Sequence, residues 1–295
     1  MDVVSSPITI LSNRVTLENQ ETLIPLLGIS TNAQDDKLVV HRELAKAVNR
    51  EILMIDTTYS DFCENEVGRI LNKCWRRGDA RSEYFVITKL PMIGNRRDDV
   101  RRFLRKSLSN MRLDYVDAYV MEGPVGLVGK HDTDVRPRNQ EGQPELDKDT
   151  FLEGIWKAME EECLNAYCRM IGLCNFNLSQ INRICQIARI PPAIVMMDIN
   201  VYNQCEKERT FLKNRLITPV ALYPLGNPLH TPSEQHPLLT EHEVVREVAE
   251  KHEVTTSTVL VKFLHQQKIV SIIQINAVPE TNTIFETLNT FTLDE

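Results

Sequence analysis

Short apolar runs rich in β-branched residues alternate with longer amphipathic segments along nearly the whole chain, and no other feature constrains the fold as much. The runs are IPLLGIS (24–30), ILMIDTT (52–58), YFVITKL (84–90), VDAYVMEG (116–123), RMIGLCN (169–175), AIVMMDIN (193–200), ITPVALYP (217–224) and VSIIQIN (270–276). Each is almost continuously apolar, as expected of a parallel strand covered on both faces. Between them lie segments of helical period. In ENEVGRILNKCWRR (64–77) Val67, Ile70, Leu71 and Cys74 share a face, and in TFLEGIWKAMEEECLNA (150–166) Ile155, Met159 and Cys163 do. In LTEHEVVREVAEKH (239–252) Val244, Val245 and Val248 share one, and Thr240 stands three residues before Glu243 as a capping pair. Strand–helix alternation repeated eight times predicts an α/β chain folded as a (β/α)8 TIM barrel.

No Gly/Ser-rich or Pro-rich linker divides the 295 residues, so residues 1–295 read as a single domain. A β-hairpin at about 8–24, within ILSNRVTLENQETLI (10–24), precedes the first barrel strand and is expected to plug the bottom of the barrel. A hydrophobic fraction of 42% with 25% charged residues suffices for a large core. The net charge of −7 gives no reason to expect nucleic acid or an anionic membrane as partner. Basic residues gather at Arg76, Arg77 and Arg81 and from Arg96 to Lys106, but acids interrupt both groups, the pattern of solvated helix faces. The N-terminus has neither the charged start nor the long apolar run of a signal peptide, and no stretch approaches eighteen unbroken apolar residues. Seven cysteines without a CxxC pair, several inside helix or strand patterns, fit buried thiols in a reducing cytoplasm.

A barrel of this kind places its chemistry at the C-terminal ends of the strands. Asp56 is expected to end the second strand, Lys89 the third and Glu122 the fourth. A lysine beside an aspartate there reads equally as a structural ion pair or as a functional one. The longest stretch without an element pattern, 123–149, leaves the fourth strand and is expected to border the mouth, since loops of that length in compact domains are usually functional.

The motifs IPLLGISTN, IDTTYSDFCENEVGRIL, YFVITKL, SLSNMRLDYVDAYVMEGP, MIGLCNFN, LYPLG and TTSTVLVKFLHQQKIVSII resemble, in order and in register, the successive signatures of the aldo-keto reductase family. The resemblance runs from about Val15 to the end. It implies a barrel that reduces aldehydes and ketones with NADPH through a tetrad of Asp, Tyr, Lys and His. Asp56 and Lys89 match two tetrad positions. The tyrosine's place, five positions after the aspartate, holds Asp61, and the histidine's place holds Glu122. One branch, the steroid double-bond reductases, also carries Glu there but keeps its tyrosine.

Reducing a carbonyl requires an acid that donates as negative charge builds on oxygen. A phenol beside a lysine stays protonated with its pKa drawn down, whereas an aspartate beside Lys89 is expected to be held in its ionised form. Asp61 would then repel charge rather than donate a proton. Tyr59, two residues earlier on the same strand parity, would lie about 6–7 Å farther down the strand, and could stand in as the acid only by reaching hydrogen-bond distance. Glu122 could act as an acid if a dry pocket raised its pKa. Asp56, Asp61 and Glu122 around one lysine could also share a proton or hold a cation, but no histidine is placed to join them, so no metal is expected.

The resemblance also implies a cofactor pocket. Similar reductases hold the nicotinamide amide with Ser-Asn after the fifth strand and Gln in the sixth, and stack the ring on a Tyr in the seventh. Here these places hold Cys174 and Asn175, Met196, and Leu222, so only Asn175 is retained. Tyr223 is adjacent to the stacking place, but a one-residue offset in a strand turns it to the opposite face. After the eighth strand a PKS run and a later Arg clamp the adenosine 2′-phosphate. This chain has QINAVPET, with Ile275, Asn276 and Thr281 at those places and no cation for the phosphate. The sequence ends at Glu295, soon after ETNTIFETLNTF, and the C-terminal loop that the family commonly uses to shape its substrate pocket is expected to be absent, which would leave the mouth more open.

The expectation is an aldo-keto-reductase-like barrel that lacks efficient NADPH-dependent carbonyl reduction and acts as a cytoplasmic binding or regulatory pseudoenzyme. No cofactor is expected with high affinity. A small molecule in the mouth or another protein would be its partner, with no nucleic acid and no membrane. The alternative is a weak or NADH-using oxidoreductase that reduces aldehydes or ketones, with NADPH or NADH as cofactor and Glu122 or Tyr59 as the acid. A structural subunit of a larger assembly is a third reading, with only the acidic surface in its favour.

Overall fold

All eight apolar runs form strands, seven of them shorter than their runs and the fifth of equal length, displaced by one residue toward the N-terminus. They are β1 (Leu27–Ser30), β2 (Met54–Asp56), β3 (Phe85–Leu90), β4 (Val116–Met121), β5 (Cys168–Cys174), β6 (Ile194–Met197), β7 (Thr218–Ala221) and β8 (Val270–Gln274). They pair in parallel in chain order, and β8 closes onto β1 through Ser271↔Leu27 to Gln274↔Ser30. The chain therefore folds as a closed (β/α)8 barrel. The computed structural model describes residues 10–11, 14–16, 23–32, 36–227, 233, 237–275, 283–284, 287–288 and 290–293. Asn276, Thr281 and half of the 280–291 pattern lie outside them.

The helices that cover the barrel are α1 (Lys37–Asn49), α2 (Glu64–Arg77), α3 (Arg97–Met111), α4 (Leu152–Leu164), α5 (Leu178–Ile187), α6 (Glu206–Lys213), α7 (Glu243–Lys251) and α8 (Thr256–Gln266). Local chemistry sets their ends. The Asp36 carboxylate accepts from the Leu38 and Val39 amides at 3.0 and 3.1 Å to start α1. Asn177 and Gln180 form a reciprocal capping box at α5. Gly78, at φ +104°, closes α2 in a conformation that costs other residues strain. The α2 stripe is buried as its period requires: Val67, Ile70, Leu71 and Cys74 all face the core.

Helix α7 departs from the sequence reading. Leu239–Glu241 is a 3-10 turn and His242 is the N-cap, so Thr240 does not form the expected capping pair with Glu243. The turn uses up the residues that would have been the first helical turn. Val244 consequently points outward, 57% exposed, and only Val245 of the expected trio is fully buried.

The core has two layers. Ile29, Ile55, Val86, Tyr119, Ile171 and Leu173 point outward from the strands into the helix layer. Met54, Phe85, Ile87, Val120, Met170, Met196, Val220 and Ile272 fill the interior. The period of two continues up each strand, and this decides what reaches the mouth. Met54 leads to Asp56, Phe85 and Ile87 to Lys89, and Ala118 and Val120 to Glu122. At the other end, three short antiparallel strands (Ile10–Leu11, Arg14–Thr16 and Leu23–Pro25) stand where the sequence predicts a two-stranded hairpin. Ile24 and Leu26, at its end, are buried with Met54, Phe85, Ile194 and Val270 at the strands' first residues, so this segment fills the bottom of the barrel.

His265 on α8 is buried, hydrogen-bonded to the backbone of Leu26, and its Nε2 has no partner among the described residues. Burial pushes its pKa down to about 4, assisted by Lys262 and opposed by the Leu26 contact. The ordinary value in an unfolded chain is about 6.5. Above that value the neutral ring costs nothing. As pH falls toward 4 the unfolded chain takes up a proton that the folded one refuses, so stability is lost, by at most about 3 kcal/mol. Urea unfolding across this range should show His265→Gln losing less stability than the parent on acidification. Parallel pH curves for the two proteins would contradict this.

Candidate active site

Residues 30–31, 56–61, 89, 122, 174–175 and 222–223 follow or end the barrel strands and surround the C-terminal mouth. Lys89 is its centre. The ammonium is buried and donates to Asp56 Oδ1 at 2.5 Å and to the Thr57 carbonyl at 3.3 Å. Burial presses its pKa downward, but Asp56, with help from Asp61, outweighs that, so Lys89 is held above the usual lysine range. Asp56 is itself 1% exposed, and Thr57 is fixed by a 2.8 Å hydrogen bond from Thr31 Oγ1. The structure thus brings the two retained tetrad residues together.

The two changed positions join them. After β2 the chain turns into a 3-10 helix over Tyr59–Asp61, with the Thr58 hydroxyl accepting from the Ser60 amide at 3.3 Å. This turn presents Ser60 and Asp61 to the mouth. The Ser60 hydroxyl donates to Glu122 Oε2 at 2.7 Å. Glu122 is enclosed by protein on most sides yet still touches solvent. Burial raises its pKa, while Ser60, Lys89 and Arg136 hold it down only in part.

Asp61 corrects the sequence reading. Its side chain is 10% exposed, and its pKa is pushed up to about 6. Burial is the main cause. Lys89 acts in the other direction, but Glu122 and Asp56 add to the rise and offset it. The expectation that Lys89 keeps Asp61 ionised counts one neighbour and leaves out desolvation and two like charges. Below about pH 6 this carboxyl holds a proton.

Tyr59 is also corrected. The 3-10 turn removes it from any strand parity, and it lies in the outer core, its ring edge-on to Phe103 with centroids 5.0 Å apart. Its phenol has its pKa raised by burial and belongs to packing rather than to the mouth. Tyr223 is the converse. β7 ends at Ala221, so the strand-parity argument does not extend to it, and its phenol lies within electrostatic range of Cys174, Lys89 and Asp56.

Three participants escape a reading of the sequence. Ser60 and Tyr223 are hidden by the turns that carry them. Arg136 comes from the 123–149 loop, and its guanidinium stands 4.0 Å from Asp61 Oδ1. That loop is more regular than its sequence suggests. Gly126–Leu127 pairs with Leu146–Asp147, and Arg138 bridges to Pro144. Asn95 Nδ2 donates to the Gly123 and Val125 carbonyls at 2.9 Å each. Arg96 holds Asp147 at 2.6 Å, and Arg102 and Lys106 hold Asp132. Much of the basic α3 face is therefore engaged by carboxylates rather than free in solvent.

The cofactor positions lie as follows. Cys174 is buried, and burial pushes its thiol up to about 12, so it stands neutral. Asn175 adopts a left-handed conformation at φ +61°, and its Nδ2 donates to the Glu122 carbonyl at 3.4 Å. Met196 is sealed inside the barrel interior, and Leu222 packs on the same cluster. Ile275 points away from the mouth into the helix layer.

A family model described as the aldo/keto reductase family matches residues 26–295. The chain belongs to the aldo-keto reductase family. Aldo-keto reductase family 1 member A1 of Xenopus tropicalis is 30% identical over 84% of this chain and 76% of its own. The (1S)-1,7-diacetoxy-luvungin A aldo-keto reductase of Citrus sinensis is 26% identical, over 88% of this chain and 79% of its own. The solved structure of the aldose reductase from Schistosoma japonicum superposes with a TM-score of 0.78 at 28% identity, covering 96% of this chain and 92% of that one.

Aldo-keto reductases are oxidoreductases that use NADPH or NADH. At the amide-binding places stand a neutral thiol, a methionine without a donor, and an asparagine turned to the Glu122 carbonyl. The stacking place holds an aliphatic side chain. Among the described residues no cluster of metal-binding side chains occurs, and no helix is long and apolar enough to cross a membrane.

Proposed function

We propose that this aldo-keto reductase family member is a cytoplasmic binding or regulatory protein that does not efficiently reduce carbonyl compounds with NADPH. One observation carries the reading: the Lys89 ammonium is satisfied by Asp56 and the Thr57 carbonyl, and the place of a donating phenol holds Asp61. What remains in the mouth is a polar bowl of Asp56, Asp61, Glu122, Ser60 and Lys89, overhung by Arg136. It suits reversible capture of a small polar molecule by hydrogen bonds.

A second reading is favoured by the raised pKa of Asp61 and Glu122. A protonated carboxyl can donate, as some buried carboxylic acids do. The protein would then be a weak reductase of aldehydes or ketones, with NADH or NADPH, active only in acid. Steady-state assays with aromatic aldehydes and either nucleotide, from about pH 5 to about pH 8, separate the two. The binding reading predicts no turnover above background at any pH. A rate that falls as pH rises through about 6, and is lost in Asp61→Asn, would replace it with the second.

A further inference from the structure

The mouth offers acceptors that the chain itself does not fill. The turn after β2 brings two of them together: Ser60 donates to Glu122 Oε2 at 2.7 Å, and Asp61 is the next residue. Glu122 Oε1 and both carboxylate oxygens of Asp61 accept no hydrogen bond from the described residues. The Asp61 side chain is nine-tenths buried, at 10% exposed, yet none of these three oxygens is sealed from solvent. They open on the mouth.

The charges there are unevenly answered. Asp56 is met by Lys89, whose ammonium is engaged by Asp56 Oδ1 and the Thr57 carbonyl. Asp61 has Arg136, but at 4.0 Å and on a side chain that is 70% exposed. An exposed pair of that kind is worth little. At the end of β6, Asp198 accepts from the Asn200 and Asn227 amides at 2.9 and 2.7 Å, and neither amide carries charge.

We propose, resting on the binding reading above, that the mouth takes a small organic amine in its ammonium form, with Asp61 and Glu122 Oε1 as its acceptors and Arg136 as the tethered cation that it displaces. An ammonium brings several donors and a charge, and hydrogen bonds between ions are roughly twice as strong as neutral ones. Arg136 already holds a cation against Asp61, so the place tolerates one. A bare metal ion fits less well, because among the described residues no three His, Cys, Asp or Glu side chains converge on one point. An anion would meet two carboxylates before a lysine that is already satisfied. Leu222 and Tyr223, both half-buried at the rim, offer apolar surface to the carbon arm of an amine.

The electrostatics agree. Burial raises the pKa of Asp61 to about 6, with Glu122 and Asp56 adding to the rise against Lys89 and Arg136. Burial raises Glu122 as well, held down only in part by Ser60, Lys89 and Arg136. A bound ammonium favours both ionised forms, so its uptake near pH 6 should release protons. Below that pH Asp61 carries a proton and no charge, and the amine should be let go.

The test titrates the purified full chain with phenethylamine by calorimetry, with phenylethyl alcohol and phenylpropionate as neutral and anionic counterparts. At about pH 7.5 the amine should bind at least about tenfold tighter than either. Its affinity should fall at least about fivefold by about pH 5. Asp61→Asn, which keeps the shape, should weaken the amine by about tenfold and leave the alcohol unchanged. Arg136→Gln, an exposed change, should tighten the amine by about two- to fivefold, because the competing cation is gone. Absent amine binding, equal affinity for amine and alcohol, tighter binding of phenylpropionate, or a weaker amine in Arg136→Gln would each overturn the proposal. So would displacement of the amine by magnesium chloride but not by sodium chloride at the same ionic strength. Alcohol or carboxylate binding without carbonyl turnover strikes the amine assignment alone, whereas turnover with a nicotinamide nucleotide strikes the binding reading with it.

Discussion

Replacing Lys89 by methionine should cost about 3–5 kcal/mol of stability at neutral pH, the range for removing one partner of a buried ion pair. Asp56 is 1% exposed, and Lys89 gives it a 2.5 Å hydrogen bond. Methionine fills much of the same volume, so a cavity contributes little and the loss comes from a carboxylate left buried without its cation. The pair itself need not be stabilising overall, because taking both ions out of water costs about as much as their attraction returns. The double variant Asp56→Asn/Lys89→Met should therefore recover most of the loss. Urea unfolding of the parent, both single variants and the double variant completes a cycle that isolates the pairing energy. A single Lys89→Met loss below about 1 kcal/mol would mean that the mouth is wet enough to solvate Asp56, and the electrostatic description of the site would fail with it.

The barrel is legible in the sequence because its strands are covered on both faces. Runs such as YFVITKL carry no competing signal, and the same period of two puts Asp56, Lys89 and Glu122 on the inward side. What stays hidden depends on where a strand stops. Tyr59 and Asp61 share a parity only if β2 continues, and it gives way to a 3-10 turn after Asp56. Tyr223 comes within electrostatic range of Lys89 and Asp56, and β7 ends two residues before it. The first turn of α7 is obscured for a related reason, since Leu239–Glu241 forms a tighter turn that hands the N-cap to His242.

Charge state is harder still to read. Lys89 beside Asp61 predicts an ionised aspartate when the pair is taken alone. The rise comes from burial and from Glu122 and Asp56, which separate strands deliver. Arg136, the other charge near Asp61, comes from a loop whose own small sheet and ion pairs with α3 decide where it sits. None of these distances is written in local sequence.

The second large effect concerns the dinucleotide. Removing a neutral amide hydrogen bond costs roughly 0.5–1.5 kcal/mol and a charged one to a phosphate roughly 1.5–3 kcal/mol, so with Cys174 and Met196 at two amide-binding places and Ile275 and Thr281 at the places of the phosphate's cations, NADPH binding should weaken by about three to six powers of ten. Restoring a phenol at the tetrad position does nothing for those contacts, because Met196 remains without a donor, Cys174 remains a neutral thiol and Leu222 leaves the stacking place aliphatic. Asp61→Tyr should therefore leave nucleotide affinity unchanged and bring back little carbonyl reduction. Activity restored by that one substitution would show that the pocket still grips its cofactor.

The most direct measurement is a titration of the purified protein with NADPH and then NADH, followed by nicotinamide fluorescence, in the parent and in Asp61→Tyr. The prediction is no saturation below about 1 mM for either nucleotide with either protein. Saturable micromolar binding of NADPH to the parent would contradict the account at its centre.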